Sequence, residues 1–221
     1  KRVMPAITQP WPEADFYGYG NVLAAKDLGY RGKPFNWVTM PDQYTWSAFE
    51  RLALTPAPRE PVFAEVALIS SHAPWTPIPT LVPWDEVGDG RIFDAQASSG
   101  ESPEKIWSDP DRVRDQFRQS IDYALRTIGE FAARRAATAP LIVVLGDHQP
   151  AGFISGTDNR DVPIHIIGDA ATIAHLDGWG WEDGMVPAAN SPVWRMDAFR
   201  DRFLGAFSTP VGTHTGKDPS A

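Results

Sequence analysis

The chain has 221 residues, 43% hydrophobic and 22% charged, which suits one large domain or two small ones and excludes a disordered tail. Twenty basic against 28 acidic residues leave a net charge of −8, which argues against a nucleic-acid phosphate binder but leaves room for a small cationic pocket. Cysteine is absent, so disulfide frameworks, thiolate zinc sites and cysteine nucleophiles are excluded, and no apolar run reaches the roughly 18 residues that would cross a bilayer.

The 21 Pro and 18 Gly predict a chain rich in turns, and nine Trp is high. Aromatic and Gly-rich residues occupy 11–20. Asn21 to Leu28 reads as a short helix, with Asn21 as N-cap and Gly29 as its stop. Phe35 to Met40 reads as a strand. Asp42 is placed to cap a helix through about Leu54, with Tyr44, Phe49 and Leu52 among its apolar residues, ended by Pro56 and Pro58. The nearly continuous apolar run from Pro61 to Ser70 suits a strand buried on both faces. Residues 71–83 are too Pro-rich to be regular, and 84–107 reads as a long surface excursion.

Asp109-Pro110 opens the strongest predicted helix, with Pro at its first position. Val113, Phe117, Ile121, Ala124, Leu125, Ile128 and Ala132 recur at three- and four-residue spacing as its apolar stripe. Leu141 to Leu145 is a second buried strand, running into Gly146-Asp147-His148. Val162 to Ile167 is a third, running into Gly168-Asp169. Met196 to Phe207 reads as a last helix, with Phe199, Phe203, Leu204 and Phe207 on one side, and 208–221 as a frayed tail.

Strands alternating with helices predict an α/β fold, a mostly parallel sheet covered by helices on both faces, with residues 1–221 as a single domain. Ligands of such sheets sit beyond the carboxyl ends of the strands, a rule that selects Ser71-His72, Asp147-His148 and Gly168-Asp169. Asp147 and His148 offer a hard oxygen and a borderline nitrogen where strand alternation ends, a donor set that suits zinc or manganese. The plainer alternative is an Asp capping a turn beside a space-filling His. His165, between Ile164 and Ile166, reads as a satisfied sheet histidine, and His175 as a surface residue of a helix.

Leu-Ile-Val-Val-Leu-Gly-Asp-His (141–148) resembles the strand-to-loop metal motif of the alkaline phosphatase superfamily, in the sulfatase-like branch that includes lipoteichoic acid synthases and phosphoglycerol transferases. Ile-Ser-Ser-His-Ala-Pro-Trp (69–75) is similar to a strand-to-His segment of the same branch. The stretch from Asp27-Leu28-Gly29-Tyr30 to Pro41-Asp42-Gln43-Tyr44 is similar to one that precedes it. These stretches occur in family order over roughly residues 17–168. The resemblance implies that Asp147 and His148 ligate a divalent metal (manganese, zinc or magnesium). It implies that His72 is a catalytic, substrate-binding imidazole, with Asp42 a further substrate-side candidate. His214, in Thr213-His214-Thr215-Gly216, resembles a late ligand of alkaline phosphatases proper.

The chain departs from the pattern at Gln149-Pro150. Upstream of Asp27 it has no acidic ligand followed by a helix-opening Thr or Ser; Thr8 stands before Gln9-Pro10. The resemblance therefore implies the C-terminal portion of a larger, membrane-tethered protein, with its nucleophile and membrane segments upstream and this domain outside the cytoplasmic membrane. The implied activity is transfer or hydrolysis of a phosphoryl, sulfuryl or phosphoglycerol group on a small anionic ester, through a covalent intermediate. An alternative is a catalytically inactive binding or scaffold domain of a membrane protein; a phosphomutase would need further His and Asp ligands.

Overall fold

Val3 has no exposed surface because β1 (Arg2–Met4) is the middle strand of a three-stranded sheet, between β2 (Val22–Ala24) and β3 (Glu65–Val66). Both pairings are parallel, with Val3 opposite Leu23 on one side and Val66 on the other. The computed structural model describes residues 1–9, 11–55 and 60–208; the predicted stops at Pro56 and Pro58, His214 and the tail 209–221 lie outside them. The chain divides into two units, Lys1–Arg134 with Pro150–Asp158, and Arg135–Gln149 with Asn159–Ala221.

In the first unit, the segment expected as a helix from Asn21 is instead β2 followed by a single 3-10 turn, Ala25–Asp27. Pairing with β1 supplies the backbone partners a short helix would have supplied internally. The Asp27 carboxylate closes the turn by accepting the Ala24 N–H at 2.9 Å, and Gly29 follows at φ +75°, the left-handed stop expected of it. Phe35–Met40 is not a strand. Phe35 and Val38 exchange both backbone hydrogen bonds across a tight turn, with Asn36 at φ +59°, a conformation Asn tolerates better than most residues. The expected strand at Pro61–Ser70 shortens to β3. Phe63 is 78% exposed, so this run is not buried on both faces.

Helix α1 (Asp42–Phe49) starts where expected and runs into a wider π-type turn, Glu50–Leu54. The excursion at 84–107 is anchored rather than loose. It holds α2 (Asp94–Ala97) and α3 (Pro103–Trp107), and it buries Val87, Phe93 and Ile106. Helix α4 (Pro110–Arg135) is the long helix expected, and its first turn is closed by Asp109 Oδ1 accepting the Asp111 N–H at 2.9 Å. Its buried seam differs from the apolar stripe. Ser120, Tyr123 and Thr127 are inside, while Ile121, Leu125 and Ala132 are only half-buried. Polar residues can occupy the seam because their hydroxyls are bonded: Ser120 Oγ donates to Phe117 O, and Thr127 Oγ1 to Tyr123 O, each at 2.7 Å. Trp46 stacks on Phe131 at 4.1 Å across the α1–α4 contact. A second cluster joins Trp75, Ile106, Val113 and Ile154, the last from α5 (Gly152–Ser155).

In the second unit, β4 (Ile142–Leu145) and β5 (Ile164–Ile167) form an antiparallel pair, with Ile142 opposite Ile167 and Leu145 opposite Ile164. The expected addition of both strands to a parallel sheet is thereby corrected: the observed fold mixes helix and strand, with a small parallel sheet and a separate antiparallel ribbon. After α6 (Ala170–Ile173), the chain gathers Trp179, Trp181 and Trp194 against Phe199 of α7 (Met196–Phe207). Phe199, Phe203 and Phe207 share one side of α7 as expected, in tilted ring contacts, while Leu204 is 53% exposed. Among the described residues no helix is long and apolar enough to cross a membrane.

Candidate active site

His72 is carried by the turn that leaves β3. Its own N–H donates to Ile69 O at 3.0 Å, and its imidazole Nδ1 lies 3.0 Å from Ala73 O. A carbonyl can only accept, so Nδ1 carries the proton in the neutral ring and Nε2 keeps a lone pair. The imidazole is exposed and meets the Trp37 ring edge-to-face, with centroids 4.3 Å apart. Trp37 stands at the tip of the Phe35–Val38 turn, 49% exposed between two buried anchors. Asn36 Nδ2 donates to Thr76 O at 3.3 Å, tying that turn to the loop after His72. A shallow pocket lies here, lined by Phe35, Val38, Ser70, His72, Trp75 and Thr76, among others. Trp75, one of its lining residues, stands at φ +56°, a strained conformation for an aromatic residue, and donates from Nε1 to Ser71 O at 2.8 Å.

Asp42 opens α1 with no exposed surface. Its Oδ1 accepts the backbone N–H groups of Ile69 and Ser70, each at 2.9 Å, and its own N–H donates to Ser70 Oγ at 3.0 Å. Oδ2 is buried without a partner among the described residues. Burial pushes the Asp42 carboxyl above the usual range, against the opposing pull of the Ser70 and Ile69 hydrogen bonds. Tyr123 faces the same region. Its hydroxyl accepts the Gln43 N–H at 3.3 Å, and its pKa is raised by burial first and by the Asp42 charge second. Gln43, also fully buried, brackets Val82 by donating to its carbonyl at 2.7 Å and accepting its N–H at 3.0 Å.

The second unit carries the other candidates. Asp147 and His148 follow β4 and are both exposed, with side chains 90% and 72% accessible. His148 Nδ1 lies 2.8 Å from Gln149 O, which assigns its proton there and leaves Nε2 facing Asp147 Oδ2 at 3.7 Å. Asp147 Oδ1 accepts the His148 N–H at 3.0 Å. Gly146 is closely approached, since a Cβ there would lie 3.4 Å from the Val162 side chain. Two metal–ligand bonds of about 2.1 Å span up to about 4.2 Å, so the separation of Oδ2 and Nε2 is within the reach of one divalent ion. Among the described residues no group of three or more His, Asp and Glu side chains is placed to hold a metal.

Gly168-Asp169 serves differently from expectation. Because β5 runs antiparallel to β4, it leaves the ribbon at the end opposite Asp147-His148. Asp169 caps α6, accepting the Thr172 N–H at 2.9 Å and the Thr172 hydroxyl at 2.8 Å, and these bonds hold its carboxyl below the usual range. His165 is the sheet histidine expected, with Nε2 2.8 Å from Met185 O. His175 is exposed in a 3-10 turn and touches the Phe207 ring. Sequence reasoning missed Trp37, Ser70, Gln43 and Tyr123. The adjacency of Asp42 and Gln43 after Pro41 was the available signal for the buried pair. Compared with protein-family models, curated proteins and solved structures, the chain matches none.

Proposed function

We propose that this chain contributes to metal-dependent transfer or hydrolysis of a phosphoryl, sulfuryl or phosphoglycerol group, as a sulfatase-like member of the alkaline phosphatase superfamily. The observation that carries the reading is the Asp147–His148 pair. It follows an apolar strand, and its tautomer leaves Nε2 3.7 Å from a carboxylate oxygen. Asp147 Oδ2 and His148 Nε2 would hold a zinc, manganese or magnesium ion, whose positive charge would offset that of an ester's anionic oxygens. His72, in the first unit, is assigned by itself as a substrate-side imidazole. Its Nε2 donates to an anionic oxygen when protonated, and its neutral form accepts a proton there. The nucleophile and the membrane tether are assigned to segments outside this chain, and the domain to the outer face of the cytoplasmic membrane.

The test uses the full-length protein. At about 100 times its dissociation constant a bound ion contributes about 2.7 kcal/mol, which raises the melting temperature of the domain that holds it. Zinc or manganese is expected to produce that rise and Asp147→Ala to abolish it. A rise that survives Asp147→Ala, or none at all, favours a non-catalytic binding domain instead.

A further inference from the structure

We propose that Asp42 is a positioning residue for His72, acting through the backbone of Ile69 and Ser70 rather than meeting a ligand itself. Its carboxyl has no exposed surface, so nothing outside the fold reaches it. One oxygen, Oδ1, collects two successive N–H groups, those of Ile69 and Ser70, where the chain leaves β3. The carbonyl of the same Ile69 accepts the His72 N–H at 3.0 Å. The turn that presents the imidazole is therefore held at one end by the carboxylate and closed at the other by its own hydrogen bond. The lock is reciprocal, because the Asp42 N–H returns to Ser70 Oγ at 3.0 Å. Beyond it the ring is held by Ala73 O on Nδ1 and by its edge-to-face contact with Trp37.

Stability alone is a poor account of this carboxylate. Burial disfavours its charge, and Oδ2 has no bond among the described residues to offset that cost. What the group does supply is a single point to which two backbone donors converge. An amide oxygen can do the same, whereas a methyl group cannot.

The inference rests on His72 being the substrate-facing imidazole proposed above, but it is tested without substrate or metal. Amide exchange at Ile69 and Ser70, and the imidazole ¹⁵N shifts of His72, are compared in the chain and in Asp42→Ala, Asp42→Asn and Ser70→Ala. Asp42→Ala is expected to speed exchange at both amides roughly tenfold and to move the His72 shifts. Asp42→Asn is expected to leave both near their original values, with His148 unmoved throughout. His72 shifts unchanged in Asp42→Ala, or moved as far by Asp42→Asn, overturn the proposal. If Asp42→Ala does not fold, Ser70→Ala decides: it removes the return bond and is expected to shift His72 while Asp42→Asn does not, and a silent Ser70→Ala overturns the proposal. A missing zinc response at Asp147–His148 would defeat the group-transfer reading and leave these signals as they are.

Discussion

Burial and hydrogen bonding pull the Asp42 carboxyl in opposite directions, and burial wins. Because its pKa is raised on folding, the folded state keeps the proton to higher pH than the unfolded state does. Between the ordinary aspartate value and the raised one, the unfolded chain binds fewer protons, so stability falls as pH rises through that window. Asp42→Asn cannot ionise. The stability difference between Asp42→Asn and the original chain is therefore expected to grow in favour of the Asn variant as pH rises from about 4, measured by denaturant unfolding across that range. A difference independent of pH would contradict the burial argument. The same residue shows what a sequence leaves unread. Position and type marked Asp42 as a helix opener, but its partners come from a turn 27 and 28 residues away, and only the folded chain brings them within reach. The placement of His72, Asp147 and His148 just beyond apolar runs was legible from those runs. Trp37 was not, because a Trp in a short aromatic segment reads equally as core.

Among the elements, α4 was the most legible because 26 residues of recurring apolar spacing outweigh local noise. Val113, Ala124 and Ile128 of its expected stripe are buried, but Ser120 and Thr127 join them in the seam, since counting apolar residues gives no weight to hydroxyls that bond their own helix. Phe131 lies inside that seam, stacked on Trp46 and 3% exposed. Phe131→Ala is expected to cost about 3–5 kcal/mol in denaturant unfolding. Arg126→Ala, which breaks only an exposed ion pair with Asp122, should cost no more than about 0.5 kcal/mol. Similar losses for the two would place the α1–α4 contact outside the core. Short elements were the least legible. Val22–Ala24 carries nothing local that separates a strand from a helix, and pairing with β1 decides it.

For the molecule as a whole, alternation of strands and helices conveyed a mixed helix-and-strand fold, but the small parallel sheet is built around β1 and β2, which the sequence did not mark as strands. Leu141–Leu145 and Val162–Ile167 have the apolar continuity of buried parallel strands, yet they pair antiparallel, because strand direction depends on the route of the intervening chain. That reversal separates Gly168-Asp169 from the end of the ribbon that carries Asp147-His148. It leaves this pair, with its free Nε2 and facing carboxylate, as the metal candidate of the second unit. Zinc titration of the chain, followed through the imidazole ¹⁵N resonances of His148 and His165, tests this most directly. A saturable shift is expected at His148 Nε2, none at His165, and loss of the response in Asp147→Ala. A His148 resonance indifferent to zinc, or one that still responds without the Asp147 carboxylate, would contradict it.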